Sequence, residues 1–499
     1  MFKKSTRILT SALISLMMVS SLCLTSCGKS DKKEQAATDD DVITLRICNC
    51  EEYIDEGGWG EDEVIELDNG EVIFGENSLI DDFETWYYET YGKKVEVEYS
   101  TFGTNEDLYN QLTLGDTYDL ICPSDYMIMK LMYEGKLQPY SEEFYDPTIE
   151  TNYYAQGVSD YISNIFESYE VNGETWSKYA SCYMWGTTGI VYNPEYITEE
   201  QASSWKLFLN SDMSKRLTVK DSVRDTIFIA MAIANEETLM DEDFRNSPDY
   251  NDQVFKVMNN TSQEMVDKCE DILRIVKGNA YSFETDSGKA DMVIGRVWAN
   301  YQYSGDAVYS LDQAEEDGIY LNYSIPEEAS NLWFDGWCMP KNGIDGDAEK
   351  QQCAEAFINF LSRPDNVVRN MYYIGYTSGI SGGDSDTIEQ YVNWLYAAED
   401  DAEDTVEYDL SYFFGEGKGI ITAESEQLNR QLFGQYPDEE TMDRLSVMWF
   451  YNEEESERVN NMWINIRCYD PADAFWPIVL ILGLTVIIAI VVIVKKRKN

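Results

Sequence analysis

The alternation of strand-like and helix-like segments near the start of the chain restricts the fold more than any other feature. Alternating apolar residues predict strands over Ile43–Cys48 and Val95–Tyr99, and the short run Asp119–Cys122, stopped by Pro123, predicts a third. Apolar residues at helical spacing predict helices over Ser78–Glu89 and Asn105–Leu114, between those strands. A repeated strand-helix-strand order predicts an α/β fold built on a parallel sheet.

The segment between residues 28 and 470 is too long for one ordinary hydrophobic core, so two lobes are expected. A further short strand is predicted over Gly189–Tyr192 and an amphipathic helix over Ala354–Leu361. The Gly- and acid-rich stretch Gly57–Glu76 is predicted to be a loop.

The N-terminal end has the composition of an export signal. A basic head that includes Lys3, Lys4 and Arg7 precedes an apolar stretch, and small residues lead to Cys27. The run Leu24–Cys27 resembles a bacterial lipobox, which implies that the Cys27 thiol receives a lipid. Residues 1–26 are then a signal peptide and residues 27–42 a solvated tether; the alternative is an ordinary signal peptide with a coincidental cysteine.

The C-terminal end predicts a second anchor. Residues 475–494 are apolar apart from Thr485, and about twenty such residues cross hydrocarbon as a helix. The tail 495–499 carries four cations and is expected in the cytoplasm, which places residues 28–470 outside the cell. A buried core helix is the alternative. The predicted location is the cell membrane, with an extracytoplasmic binding domain.

Charge and composition exclude several classes of function. The chain has 92 acidic and 37 basic residues, a formal charge of -55, so nucleic acid is excluded as a partner. A cationic ligand is favoured, although acidic surfaces also serve solubility. The absence of histidine removes the commonest metal ligand and general base. No C-x-x-C pair occurs, so neither a zinc site nor any other cofactor is predicted, and the cysteines are expected to be mostly free thiols.

Aromatic and acidic residues are concentrated in the segments that should follow strands. Ligands of open α/β sheets bind beyond the carboxyl ends of strands. Aromatic faces attract organic cations and carboxylates hold ammonium groups, so an alkyl polyamine requires both. Each segment also has a structural alternative, namely ring packing or, for Asp221, capping of a helix. The segments are Glu51–Tyr53, Pro123–Tyr126, Met184–Gly189, Asp221–Asp225, Tyr303–Asp306 and Trp333–Asp335.

Many short motifs, in order from about residue 43 to 465, resemble the spermidine/putrescine-binding proteins of ABC importers, an extracellular solute-binding family. The resemblance implies two α/β lobes joined by crossing strands, with a ligand cleft between them. It implies lobe 1 over 43–186 and 334–380, and lobe 2 over 187–333 and 381–470. The motifs are Asn49–Asp55, Thr104–Glu106, Tyr118–Tyr126, Glu134–Pro139, Met184–Ile190, Asp221–Asp225, Ser304–Ala307, Trp333–Asp335, Phe357–Pro364 and Tyr373–Tyr376.

The resemblance also implies roles for individual side chains. Asp335 would hold an amine and Trp333 would stack on the alkyl chain, while Asp225, with Asp221, would hold the amine at the other end. Tyr303 and Cys50 stand where the family usually has Trp. The remaining residues implied to contact the ligand are Tyr53, Ser124, Tyr126 and Tyr376 in the first lobe, and Thr285 in the second.

The expected function is a receptor that captures a polyamine outside the cell and delivers it to a separate ABC permease with its ATPase. No bond is made or broken, so the chain is not expected to be an enzyme, and a monomer is expected. Whether spermidine or putrescine is the ligand depends on pocket length and stays open. The alternative is a receptor of the same fold for a sugar or another organic cation, or a sensory ectodomain; a glycosidase with paired carboxylates is a more distant one.

Overall fold

The structure, a computed structural model, describes residues 42–399 and 401–468. The predicted signal peptide, Cys27, the predicted transmembrane helix 475–494 and the tail 495–499 lie outside these residues, as does the tether apart from its last residue. Among the residues described, no helix is long and apolar enough to cross a membrane.

The strands of the described part form one large mixed sheet and three small two-stranded sheets. The large sheet has twelve strands, with a central order of β11-β10-β12-β9-β14-β5-β1-β4. The strands are β1 (Val42–Cys50), β2 (Ile65–Glu66), β3 (Val72–Ile73), β4 (Lys94–Phe102), β5 (Leu120–Ile121), β6 (Leu137–Gln138), β7 (Glu170–Val171), β8 (Glu174–Thr175), β9 (Ala180–Tyr192), β10 (Leu217–Lys220), β11 (Ser282–Glu284), β12 (Ala299–Tyr303), β13 (Asn322–Ser324), β14 (Ser330–Pro340), β15 (Thr377–Ser378), β16 (Thr405–Asp409), β17 (Ile420–Glu424) and β18 (Leu445–Ser446).

Two groups of parallel strands are joined by one long antiparallel pair. Strand β1 lies between β4 and β5 in parallel register, and β10 lies between β11 and β12 in the same way. Strands β9 and β14 pair antiparallel from Leu332–Thr187 to Cys338–Ala180. Beyond that pairing, β9 continues along β12, and β14 reaches β5. The predicted α/β sheet is therefore confirmed, and β9 and β14 are strands that cross between its two halves.

The helices cover both parallel groups. The two helices that the sequence predicts between its first three strands are present, and their N-cap residues are Ser78 and Thr104. The α-helices are Leu79–Tyr91, Asn105–Leu114, Asp125–Tyr133, Tyr153–Gly157, Asp160–Ser168, Glu199–Ala202, Val223–Ala234, Glu236–Leu239, Glu242–Arg245, Tyr250–Met258, Gln263–Asn279, Ser287–Val293, Ser304–Glu316, Lys341–Ile344, Ala348–Leu361, Pro364–Ile374, Thr387–Tyr396, Ser411–Phe414, Gln431–Gln435, Glu439–Asp443 and Glu453–Cys468.

The predicted strand Gly189–Tyr192 is much longer in the structure, where β9 begins at Ala180. All thirteen residues of β9 are buried. A strand that is buried on both faces has no apolar alternation, so the pattern on which the prediction rested is missing from most of β9.

The described residues form two hydrophobic cores. The first contains Leu45, Phe83 and Trp337, together with Tyr436 from the later part of the chain. The second contains Trp205, Ile229 and Leu273, together with Val459 and Met462 from the last described helix. Much of the segment 381–450 therefore packs with the first core and helix Glu453–Cys468 with the second. The lobe boundaries at 186, 333 and 380 stay a prediction.

The stretch predicted as a loop, Gly57–Glu76, contains the small hairpin β2–β3 and is held by a buried ion pair. The Nε atom of Arg369 donates to Asp55 at 2.8 Å, and its two terminal nitrogens donate to Asp82 and to the Asn77 carbonyl at 2.7 Å each. Asp55 is fully buried and also accepts from the Gly57 amide. The hairpin is thereby tied to helix Pro364–Ile374.

Replacing Arg369 by Met should destabilise the fold strongly, because it leaves the Asp55 carboxylate buried without its cation. The expected loss in the free energy of unfolding is ~3–5 kcal/mol, measured by urea denaturation. Arg363→Met is the matched control, since the Arg363–Asp365 pair is 30% and 45% exposed and should contribute less than ~1 kcal/mol. Equal losses in the two variants would contradict this account of the hairpin.

Candidate functional site

Asp335, on the crossing strand β14, accepts hydrogen bonds from two hydroxyl groups that lie far from it in the sequence. The Tyr53 hydroxyl donates to one carboxylate oxygen and the Ser124 hydroxyl to the other, each at 2.7 Å. Asp335 is only 8% exposed. Burial raises the pKa of its carboxyl, and the two hydrogen bonds partly offset that rise. The carboxylate is thus held at one orientation in a mostly dry environment.

Local chain geometry brings these three residues together. Strand β5 ends before Pro123, and Ser124 is the N-cap position of helix Asp125–Tyr133. Ser124 and Asp335 form an isolated antiparallel bridge, and β14 has an irregularity in register directly after Asp335. The Ser124 side chain is itself oriented by Asn105, whose amide nitrogen donates to it at 2.9 Å.

A series of four aromatic rings in edge-to-face contact begins beside Asp335. We call these residues the aromatic row; in order they are Tyr53, Tyr376, Trp333 and Tyr303. Ring centroids are 5.8 Å apart for Tyr53 and Tyr376, 5.3 Å for Tyr376 and Trp333, and 6.3 Å for Trp333 and Tyr303. The Trp333 indole donates to the Thr187 carbonyl at 3.2 Å, which fixes its plane. The row therefore presents a continuous aromatic surface.

Asp225 occupies the opposite end of the aromatic row. The Tyr303 hydroxyl donates to its carboxylate at 2.8 Å, and Asp225 is 5% exposed. Asp225 lies in the first turn of helix Val223–Ala234, where its amide donates to the Ser222 side chain. Acidic side chains are common in the first turn of a helix, where the unpaired backbone amides point outward.

Tyr126 lies beside the row rather than within it. Its ring stacks on the Arg224 guanidinium at 3.9 Å, and Arg224 also lies 4.1 Å from the Tyr451 ring. Arg224 donates to the Trp449 carbonyl at 3.0 Å. These contacts join helix Asp125–Tyr133, on the first core, to helix Val223–Ala234, on the second.

Two residues from the predicted set are not brought together with the aromatic row. Asp221 precedes the N-cap residue Ser222 and pairs at 2.8 Å with Arg467 near the surface. Thr285 is exposed, and its carbonyl accepts from the Lys220 ammonium at 3.2 Å. The structure gathers the other predicted residues, Tyr53, Ser124, Tyr126, Asp225, Tyr303, Trp333, Asp335 and Tyr376, around one shared region.

The predicted set did not include three ionisable side chains in this region, namely Asp125, Lys220 and Asp306. Asp125 is 2% exposed, and its carboxylate accepts from the Phe334 and Tyr126 amides. Burial raises the pKa of Asp125 to about 8. Lys220 is buried at the end of β10, 3.7 Å from Asp306 and 4.8 Å from the Tyr303 ring centroid. A lysine directly after the strand-forming residues Leu217–Val219 was the available signal in the sequence.

The cysteines of the described part are all free thiols, as predicted. Cys50 lies close enough to the site for the Asp335 charge, after burial, to raise the pKa of its thiol. The region thus combines two buried carboxylates with a row of aromatic rings between them. Asp335 accepts hydrogen bonds from two hydroxyl groups and Asp225 from one. No group of side chains in the described residues is arranged to hold a metal ion. Such an arrangement suits an elongated organic cation.

The raised pKa of Asp125 predicts a pH dependence of stability. Between about pH 4 and pH 8 the folded chain keeps a proton that the unfolded chain has released, so the free energy of unfolding falls as pH rises, by roughly 1.4 kcal/mol per pH unit. Asp125→Asn should remove this slope, measured by urea denaturation between about pH 5 and pH 8. Asp160→Asn, at an exposed helix start, should retain it. Parallel curves for wild type and Asp125→Asn would contradict the assignment.

The chain is similar in sequence to known binding proteins. A family model described as bacterial extracellular solute-binding protein matches residues 78–394, more than half of the 499 residues. The putrescine-binding periplasmic protein PotF of Escherichia coli (strain K12) is 24% identical over 293 residues, covering 57% of this chain and 71% of that protein. The spermidine/putrescine-binding periplasmic protein 1 of Haemophilus influenzae is 22% identical over 368 residues, covering 72% and 82%.

Solved structures show the same fold. The spermidine/putrescine ABC transporter substrate-binding protein of Streptococcus pneumoniae aligns with a TM-score of 0.55 at 22% identity, over 85% of this chain and 98% of that one. A putative spermidine/putrescine ABC transporter protein of Listeria monocytogenes aligns with a TM-score of 0.56 at 21% identity, over 86% and 99%. At these identities the similarity establishes the fold alone, a mixed α/β fold like that of periplasmic binding proteins.

Proposed function

This chain belongs to the bacterial extracellular solute-binding protein family, and we propose that its solute is a polyamine, held along the aromatic row with an ammonium at each end. Members of this family are binding components of transporters and not enzymes. We further propose delivery to an ABC permease with its ATPase, by a receptor that acts as a monomer.

The observation that carries this proposal is the placement of Asp335 and Asp225 at opposite ends of one aromatic surface. Within the described residues, both carboxylates accept hydrogen bonds from hydroxyl groups, and neither forms an ion pair with a cation. A buried carboxylate that lacks a counter-ion is costly, and an ammonium group supplies the missing charge. The methylenes between two ammonium groups would lie against the rings of Trp333 and Tyr376.

The relatives support the same ligand class. PotF of Escherichia coli is named as a putrescine-binding protein, and the Haemophilus influenzae relative is named as binding spermidine and putrescine. The site proposed here consists of Tyr53, Ser124, Tyr126, Asp225, Tyr303, Trp333, Asp335 and Tyr376. Asp221 and Thr285, which the resemblance also implies, lie apart from the row and remain to be tested separately.

Asp335→Asn and Asp225→Asn should each weaken polyamine binding severely, because each leaves a buried ammonium without its carboxylate. The expected loss is roughly 2–5 kcal/mol, about thirtyfold to several thousandfold in Kd, measured by calorimetry with putrescine and spermidine. The full-length chain in detergent is the protein to use.

Asp243→Asn provides the control for this experiment. Asp243 is an exposed acid on helix Glu242–Arg245, so this variant should leave Kd unchanged. Asp221→Asn tests whether Asp221 contacts the ligand. An unchanged Kd agrees with its ion pair to Arg467, and a large loss of affinity agrees with the role implied by the resemblance. If folded wild-type protein binds neither amine, the proposed ligand is wrong. Binding of a neutral sugar instead would establish the alternative receptor.

We also propose that the receptor is attached to the membrane at both ends. A lipid on Cys27 would anchor the N-terminus, and residues 475–494 would span the membrane with the tail 495–499 in the cytoplasm. The composition of these segments supports this proposal. Holding a receptor beside its permease raises the local concentration of loaded receptor at the channel.

Each anchor should be sufficient to retain the chain in the membrane fraction. Cys27→Ser should abolish incorporation of labelled fatty acid while leaving the chain membrane-bound through residues 475–494. Truncation after Asp470 should leave it bound through the lipid, and the two changes together should release it. Labelling that persists in Cys27→Ser, or retention of the doubly changed chain, would contradict this arrangement.

A further inference from the structure

A buried lysine lies beside the aromatic row, in a region proposed to bind a cation. Lys220 is the last residue of β10 and is 3% exposed. Its ammonium lies 4.8 Å from the centroid of the Tyr303 ring, so that member of the row already contacts a cation. The Thr285 carbonyl and the Asp306 carboxylate are its other partners, at 3.2 and 3.7 Å. Because the ammonium is buried, water screens its positive charge very little.

The carboxylate nearest to Lys220 is already shared between two cations. Lys289 lies 3.2 Å from Asp306 and 2.8 Å from Asp286. Asp306 itself adjoins the row, because its charge, after burial, raises the pKa of the Tyr376 hydroxyl. Of the acids near the row, Asp306 is therefore neutralised from within the chain and is not available for a ligand amine.

The number of available carboxylates then limits the number of ammonium groups that the site can hold. Asp335 and Asp225, at the two ends, have only hydroxyl groups as recorded side-chain partners among the described residues. Asp125, beside Phe334, is mainly protonated at neutral pH, since burial raises its pKa to about 8. Once Asp306 and Asp125 are set aside, the two acids of this group that lack a cation partner among the described residues are Asp335 and Asp225, one at each end of the row.

We propose that Lys220 makes this site selective for a diamine over a triamine, an inference that rests on the polyamine function proposed above. The two ammonium groups of a diamine meet Asp335 and Asp225. A third ammonium would lie along the row, where Lys220 repels it and where Asp306 is already paired. It would lose its hydration without gaining a counter-ion, and a buried charge without a partner is unfavourable.

The test compares Kd for putrescine and spermidine at one ionic strength, by calorimetry on the full-length chain in detergent. Wild type should bind putrescine at least roughly tenfold more tightly than spermidine. Lys220→Met keeps the length of the side chain and removes its charge, and it should reduce that ratio at least roughly tenfold by strengthening spermidine binding. Lys206→Met is the control, since Lys206 is exposed and pairs with Glu236 on the surface, and it should leave the ratio unchanged.

Asp306→Asn provides a second variant in case Lys220→Met does not fold. It removes the carboxylate that compensates Lys220, so spermidine binding should weaken more than putrescine binding. The inference is overturned if wild type binds spermidine as tightly as putrescine, if Lys220→Met leaves the ratio unchanged, or if Asp306→Asn weakens both amines equally. Absence of binding for both amines would instead overturn the polyamine function itself.

Discussion

The burial of the Asp335 carboxylate is the constraint on which the rest of the site depends. A carboxylate removed from water is unfavourable unless its oxygens are hydrogen-bonded and its charge is compensated. The Tyr53 and Ser124 hydroxyls provide the hydrogen bonds at 2.7 Å each, but they bring no charge. The fold thus holds an acid that is oriented and dry and that has no cation partner among the described residues, which is why we propose that an amine binds there.

The crossing strands explain how one region of the molecule collects groups from distant parts of the sequence. Strand β14 carries Trp333 and Asp335 and pairs along β9, which itself continues into the second parallel group. The loop after β1 and the loop after β5 bring Tyr53 and Ser124 to Asp335, while the end of β12 brings Tyr303. A relative movement of the two parallel groups would change the distance between Asp335 and Asp225, and the proposed capture of a ligand would then depend on the position of these two groups.

The sequence predicted the parallel sheet well, because half-buried strands and amphipathic helices have regular patterns. It predicted β1 and helix Asn105–Leu114 closely, whereas Asp335 and Asp225 were named by the resemblance and their role as ligand contacts stays a prediction. It missed most of β9, where burial on both faces removes the alternation. It did not separate Asp221 from Asp225, although one pairs with Arg467 near the surface and the other bonds Tyr303. Asp221 precedes the N-cap residue Ser222 whereas Asp225 lies in the first helical turn, so helical spacing does not relate the two side chains and only the structure shows the partner of each.

The formal charge of -55 cannot by itself decide what this protein binds. Most of the acids are exposed to water, where their fields are screened within about 8–10 Å at physiological salt. Selection is instead made by a few groups that are buried together, and there cations count as much as acids. Lys220 and Lys289 cancel Asp306, burial protonates Asp125, and Asp335 and Asp225 are left. In the proposed site, Asp335 and Asp225 are then the acids open to a ligand, and their spacing along the aromatic row would determine the length of the cation that fits.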